Sequence, residues 1–330
     1  MGSRAYQNST ITINSNLGNV TDSYKNVWNN CEISVSDERR QVLEWLSPLA
    51  PRERHRVVSD GRMDGVGDWL LGTSEFEKWH TSEDQSVHPV LFCYGDPGVG
   101  KTYLRCVKAL LKRPCETKLV SASSLVIDTL CNSIDRDNEV VACVYCDFHA
   151  HKEQSALGVL AVLLKQLVAG VEPIPEEISE AFKRAKREVD GRTPRLPEIR
   201  AMFVKSLSSL RRGFICIDAL DEFPAKHRPE LWESLQHIVR ECPNTRLFIT
   251  GRAHIREEVK KYFPGYPDVA SIKPTKEDIR GYITMRLEKD SQLDAMDTEL
   301  EADIVGTILE KISGAYVTSL DPRLSANSGL

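Results

Sequence analysis

The sequence predicts an α/β protein: a parallel five-stranded sheet sandwiched between two helical layers, with a helical leader ahead of it and a small helical annex behind. Three observations predict it. Short apolar runs, VLFCYG, VVACVYCDF, GFICIDAL, TRLFITG and the weaker DVASIKP, recur from residue 89 onward, and strands apolar on both faces belong to parallel sheets covered on both sides. Helical patterns such as SALGVLAVLLKQLVAG and PELWESLQHIVREC separate them, which is the alternation of a β-α-β fold. A glycine-rich segment, GDPGVGKT, leaves the first run directly.

Along the chain, residues 1–35 are rich in Asn, Ser and Thr and poor in large apolar groups, so they are expected to be a disordered tail. Residues 36–88 form the leader: ERRQVLEWLSPL is helical and ended by Pro48, while GVGDWLLGTSEFEKW positions Trp69, Leu70, Phe76 and Trp79 for burial. The sheet and its helices span 89–274. Thr275 caps a helix with Asp278 three residues on, opening an annex over 275–313, and 314–330 is a polar tail.

A chain of 330 residues with 41% hydrophobic content can bury a core. Its net charge of −5, with both signs mixed, argues against nucleic acid or an acidic membrane surface as partner. Neither an apolar run of membrane-spanning length nor a signal-peptide core is present, so a cytoplasmic location is expected. The nine cysteines are scattered, and Cys93, Cys143 and Cys216 sit inside apolar runs as reduced thiols do. Cys143 and Cys146, near His149 and His151, have the spacing of a metal or redox pair. On a strand, however, residues three apart face opposite sides, which separates them.

GDPGVGKT fits the phosphate-loop pattern G-x-x-x-x-G-K-[ST], in which every fixed position has a physical task. Gly95, Gly98 and Gly100 let backbone N–H groups turn toward phosphate oxygens, Lys101 brings a positive charge, and Thr102 offers a hydroxyl to Mg²⁺. Asp96, Pro97, Val99 and Tyr103 complete the expected nucleotide cradle. The pattern therefore points to a P-loop NTPase sandwich. In GFICIDALDE, Asp218 ends an apolar strand expected beside the loop, where it would hold Mg²⁺ through water. Glu222 would orient or deprotonate an attacking water and Asp221 assist at the metal, unless both merely cap the next loop. TRLFITGR brings Thr250 and Arg252 to the same carboxyl edge, where Arg252 either meets a γ-phosphate or forms a surface salt bridge.

In this order, GDPGVGKT, FICIDALDE and LFITGR resemble the NACHT class of STAND NTPases. EWLSPL, RMDGVGDWLL and FEKW are similar to the nephrocystin-3-like amino-terminal region of large fungal NACHT and ankyrin-repeat proteins, and the likeness spans roughly residues 40–312. The resemblance implies a signalling switch that is closed with ADP, opened by ATP, reset by hydrolysis, and assembled with homotypic or NLR-like protein partners. It assigns Lys101 and Thr102 to Walker A, Asp218 and Glu222 to Walker B, and Arg252 to the sensor, and puts Val66 and Gly67 near the base. ATP is favoured over GTP because no N-K-x-D base-reading motif occurs.

Two departures qualify this reading. Removing residues 105–122 gives GDPGVGKTYLSSLVIDTL, in which Leu104, Val126, Ile127 and Leu130 form a buried helical stripe, so the block reads as an insertion. The alternative is one longer helix from Lys101 to Lys112, stopped by Pro114. The chain also ends soon after the annex, without the arm and repeat sensor the resemblance implies, so a truncated switch module is expected. A catalytically silent adaptor and a P-loop kinase of a small acceptor are the competing functions.

Overall fold

Five strands form one fully parallel sheet in the order β2-β3-β4-β1-β5: β1 is Val90–Gly95, β2 Glu139–Tyr145, β3 Arg212–Asp218, β4 Thr245–Arg252 and β5 Val269–Ser271. The structure is a computed structural model in which residues 37–60, 67–82, 87–95, 122–147, 154–188, 192–265, 269–271 and 306–307 are described. The tails expected at 1–35 and 314–330, and the annex at 275–313 apart from 306–307, lie outside the described residues. So does 96–121, which holds the phosphate loop beyond Gly95 and all but the last residue of the 105–122 block.

The five predicted strands are thus all present. The helices are α1 Asp37–Leu46, α2 Pro51–Ser59, α3 Asp68–Leu71, α4 Ser74–Thr81, α5 Ala122–Ser133, α6 Ala156–Gly170, α7 Glu176–Arg187, α8 Leu196–Ser208, α9 Arg228–Glu241 and α10 Arg256–Tyr262. Local chemistry sets several of their starts. Ser155 caps α6 by accepting from the Gly158 N–H at 3.1 Å, and Thr73 caps α4 by accepting from Phe76 at 3.2 Å. Helix α1 stops two residues before Pro48, as expected.

Alternation along each strand divides the core in two. On one face Phe92, Ala142, Ile215, Ile217 and Ile249 pack under Leu160, Leu164, Phe203 and Trp232 of α6, α8 and α9. On the other, Leu91, Cys93, Phe214, Cys216 and Phe248 meet Val126, Ile127 and Leu130 of α5 and Leu70, Phe76 and Trp79 of α3 and α4. Each buried Leu, Ile, Val or Phe among them contributes about 1.5–3 kcal/mol. Cys143 belongs to the second cluster and Cys146 to the first, so the sheet separates the C-x-x-C thiols. All six described cysteines are free and buried.

The leader contributes to both faces. Val42 and Leu46 of α1 join the first cluster, and the buried Arg39 guanidinium donates to the carbonyls of Val168 at 3.0 Å, Ala169 at 3.0 Å and Val171 at 2.8 Å, at the carboxyl end of α6. Helix α2 lies against β2, and α3 and α4 seal the opposite face, where the Trp79 indole N–H donates to the Pro89 carbonyl at 3.0 Å. Of the four leader residues expected to be buried, Leu70, Phe76 and Trp79 are, and Trp69 is partly so. Gly67 opens α3 at φ +90°, a left-handed conformation that favours glycine, and sits beside Leu125 of α5.

Candidate nucleotide site at the carboxyl edge of the sheet

The carboxyl ends of β1, β3 and β4 converge at one edge, where open α/β sheets bind ligands. Gly95, first glycine of the loop pattern, closes β1 and is in register with Arg252, the last residue of β4. Asp218 closes β3, but not on the strand beside the loop. This corrects the sequence expectation: β4 lies between β1 and β3, because strand order follows from the crossovers and not from chain order.

Thr250 of β4 spans the interval. Its hydroxyl accepts the Ala219 N–H at 2.9 Å and donates to Asp218 Oδ1 at 2.6 Å. The Ser123 hydroxyl, from the first turn of α5, donates to the same oxygen. Asp218 is partly buried at the strand end; loss of solvent around its carboxyl pushes its pKa above the usual carboxylate range, the two hydroxyl bonds oppose that rise, and the nearby Glu222 and Asp221 charges reinforce it. Ser123 was missed in the sequence, since it stands behind the 105–122 block. With the block removed it lies one helical turn after Thr102, the one signal that points to it.

Beyond Asp218 the chain turns sharply. Ala219 takes φ 53°, ψ 45°, a left-handed conformation, and starts a 3₁₀ turn over Leu220–Glu222 that buries Leu220 and brings Asp221 and Glu222 back over the edge. Asp221 Oδ1 accepts the Arg252 backbone N–H at 3.2 Å, and its Oδ2 lies 3.0 Å from Arg252 Nε. The second guanidinium nitrogen, Nη2, lies 3.9 Å from Glu222 Oε1. Gly251 leaves room for the Ile255 side chain packed on β4, because a Cβ there would stand 2.6 Å from Ile255 Cδ1.

Asp218, Asp221, Glu222, Thr250 and Arg252 are therefore brought together as expected, with Gly95 alongside. Asp221 differs in that Arg252, not a metal position, occupies both its oxygens. Asp96, Pro97, Gly98, Val99, Gly100, Lys101, Thr102 and Tyr103 lie outside the described residues. The available donors, a partly buried carboxylate with adjoining hydroxyls, suit Mg²⁺, a hard cation commonly held by one or two carboxylates together with substrate phosphates.

The parallel order β2-β3-β4-β1-β5, with helices on both faces and an acid at the end of β3, defines the class: a P-loop NTPase fold. More narrowly, the chain belongs to the family described as nephrocystin 3, N-terminal, whose model matches residues 65–252, and it forms a NACHT-class region. The match lies within the 40–312 span of the sequence resemblance and ends on Arg252. The chain is 24% identical over 187 residues to vegetative incompatibility protein HET-E-1 of Podospora anserina, covering 54% of this chain and 12% of that protein. Among solved structures it is similar to the Walker-type ATPase paby2304 of Pyrococcus abyssi (TM-score 0.38, 16% identity, 75% of this chain and 67% of that one). It is also similar to the Aeropyrum pernix Orc1 protein in complex with DNA (TM-score 0.34, 18% identity, 76% of this chain and 53% of that one).

The expectation of no nucleic-acid partner, drawn from net charge, does not stand; the Aeropyrum pernix protein was solved in complex with DNA, which describes that protein and not this chain. Net charge averages over the whole surface and says nothing about a local contact. Among the described residues, no helix is long and apolar enough to cross a membrane.

Proposed function

We propose that this chain binds a nucleoside triphosphate with Mg²⁺ at the carboxyl edge of β1, β3 and β4 and hydrolyses it slowly, as the nucleotide switch of a larger signalling protein. The observation that carries the reading is the partly buried Asp218 carboxylate, held by Thr250 and Ser123 beside the Arg252–Gly95 register. Desolvating a carboxylate costs stability even where two hydroxyls donate to it, and holding a metal gives it a use.

In this reading the backbone of Gly95, Gly98 and Gly100 and the Lys101 ammonium cradle the phosphates, while Thr102 and Asp218 hold Mg²⁺. The metal would neutralise charge developing on the phosphate oxygens. Glu222, at 18% side-chain exposure, orients or deprotonates the attacking water, and Arg252, at 42%, meets the terminal phosphate. ATP is the preferred nucleotide. Free buried thiols support a cytoplasmic setting.

Equilibrium binding of labelled ATP and ADP with Mg²⁺ tests the reading against Lys101→Ala: the wild-type chain binds and the variant does not. Phosphate release by the wild type but not by Glu222→Gln then establishes hydrolysis. Absence of binding by the wild type refutes the proposal.

A further inference from the structure

The ion pair at the end of β4 assigns Asp221 a task different from metal binding. Both its oxygens serve Arg252, one accepting the backbone N–H at 3.2 Å and the other paired with Nε at 3.0 Å. Main chain and side chain of the arginine are thereby pinned by one carboxylate. That carboxylate is only 6% exposed and anchored in the turn that begins at the left-handed Ala219, whereas the guanidinium is 42% exposed. Asp221 holds the guanidinium through Nε at 3.0 Å, whereas Nη2 lies at a looser 3.9 Å from Glu222 Oε1, so the terminal nitrogens, the part of arginine that grips phosphate in bidentate fashion, are held less closely than Nε. The Arg252 backbone stands opposite Gly95, where the phosphate loop leaves β1.

Resting on the nucleotide reading above, in which Arg252 meets the terminal phosphate, we propose that Asp221 is a positioning residue that fixes Arg252 for that contact. Asp221 acts through Arg252 and does not touch the metal. A triphosphate then meets a guanidinium that Asp221 has already ordered in place, which lowers the entropy lost on binding.

The test is a double-mutant cycle on the full chain, reading dissociation constants for Mg·ATP and Mg·ADP in the wild type, Asp221→Asn, Arg252→Ala and the double variant. Asparagine retains an acceptor for the Arg252 N–H while giving up the charge facing Nε, which guards against simple misfolding. Either single substitution is expected to weaken ATP roughly tenfold, the effect of one charge-assisted hydrogen bond, while leaving ADP affinity and the Mg²⁺ concentration dependence unchanged. The double variant should be no weaker than Arg252→Ala. Additive losses, equal losses for ATP and ADP, or a shifted Mg²⁺ dependence in Asp221→Asn would overturn the assignment while nucleotide binding stands. Binding of neither nucleotide by the wild type overturns the nucleotide reading itself, and this inference with it.

Discussion

At the scale of single residues, the site works against the stability of the fold. Burial raises the Asp218 pKa, so the folded chain retains a proton at pH values where the unfolded chain has released it. The ionised carboxylate therefore costs folding free energy above its folded pKa, and this cost disappears as pH falls through that value toward the unfolded one. Asp218→Asn keeps an acceptor for Thr250 and Ser123 and removes the charge. Thermal melts should show the variant about 2–4 °C more stable near neutrality, corresponding to roughly 1 kcal/mol, with the gain shrinking in acid while Mg²⁺-dependent ATP binding is lost. A variant less stable than wild type at neutral pH would contradict this. Its neighbour Ala219, at φ 53°, occupies a conformation glycine adopts without strain. Ala219→Gly should raise the urea midpoint, stabilising by roughly 0.5 kcal/mol after the larger unfolded-state entropy of glycine is deducted.

At the scale of elements, the leader is tied to the site by a buried polar network. His55 of α2 lies 2.6 Å from the Tyr145 hydroxyl of β2 and 2.9 Å from Asp128 Oδ1 of α5, and the Ser59 hydroxyl donates to Asp128 Oδ2 at 2.8 Å. One residue beyond Tyr145, the Cys146 N–H donates to the Asp218 carbonyl at 3.0 Å. His55→Ala deprives a buried hydroxyl and a mostly buried carboxylate of a partner, so a loss of about 2–3 kcal/mol is expected. Hydrogen exchange should then speed up in α2 ahead of α6; uniform change across the two helices would mean that α2 is not held by this network. The sequence disclosed the strands because each is a continuous apolar run, and it disclosed α6 and α9 because they are long and periodic. It concealed how the leader docks, because the anchors are Arg39 and His55, isolated polar residues with no period. The interposed β4 was hidden for another reason: apolar runs specify strands but not their lateral order, so Thr250 was read at the correct edge while its bond to Asp218 was not.

At the scale of the whole molecule, the question is how the phosphate loop connects to its helix. In a P-loop fold the loop enters a helix whose first turn faces the phosphates. The helix seated against the sheet here is α5, whose Val126, Ile127 and Leu130 are fully buried and whose Ser123 reaches Asp218. Those three apolar residues belong to the stripe expected once residues 105–122 are removed. The gathering of Asp218, Asp221, Glu222, Thr250 and Arg252 at one edge was readable from their motifs, while the Ser123 contact was not, because the intervening block breaks the spacing that would have aligned it. We propose that the block is an insertion separating Thr102 from the helix that should follow it. Ordering such a connection costs conformational entropy that a direct junction avoids. Deleting 105–122 joins Leu104 to Ser123 and restores one-turn spacing between Thr102 and Ser123, so both hydroxyls come to lie on the same helical face. The deletion variant should melt at higher temperature than the full chain and bind Mg·ATP roughly tenfold more tightly, a difference of about 1.4 kcal/mol. If neither the melting temperature nor the dissociation constant improves, the block is a native part of the domain, and the single longer helix from Lys101 to Lys112 becomes the better description of how the loop continues.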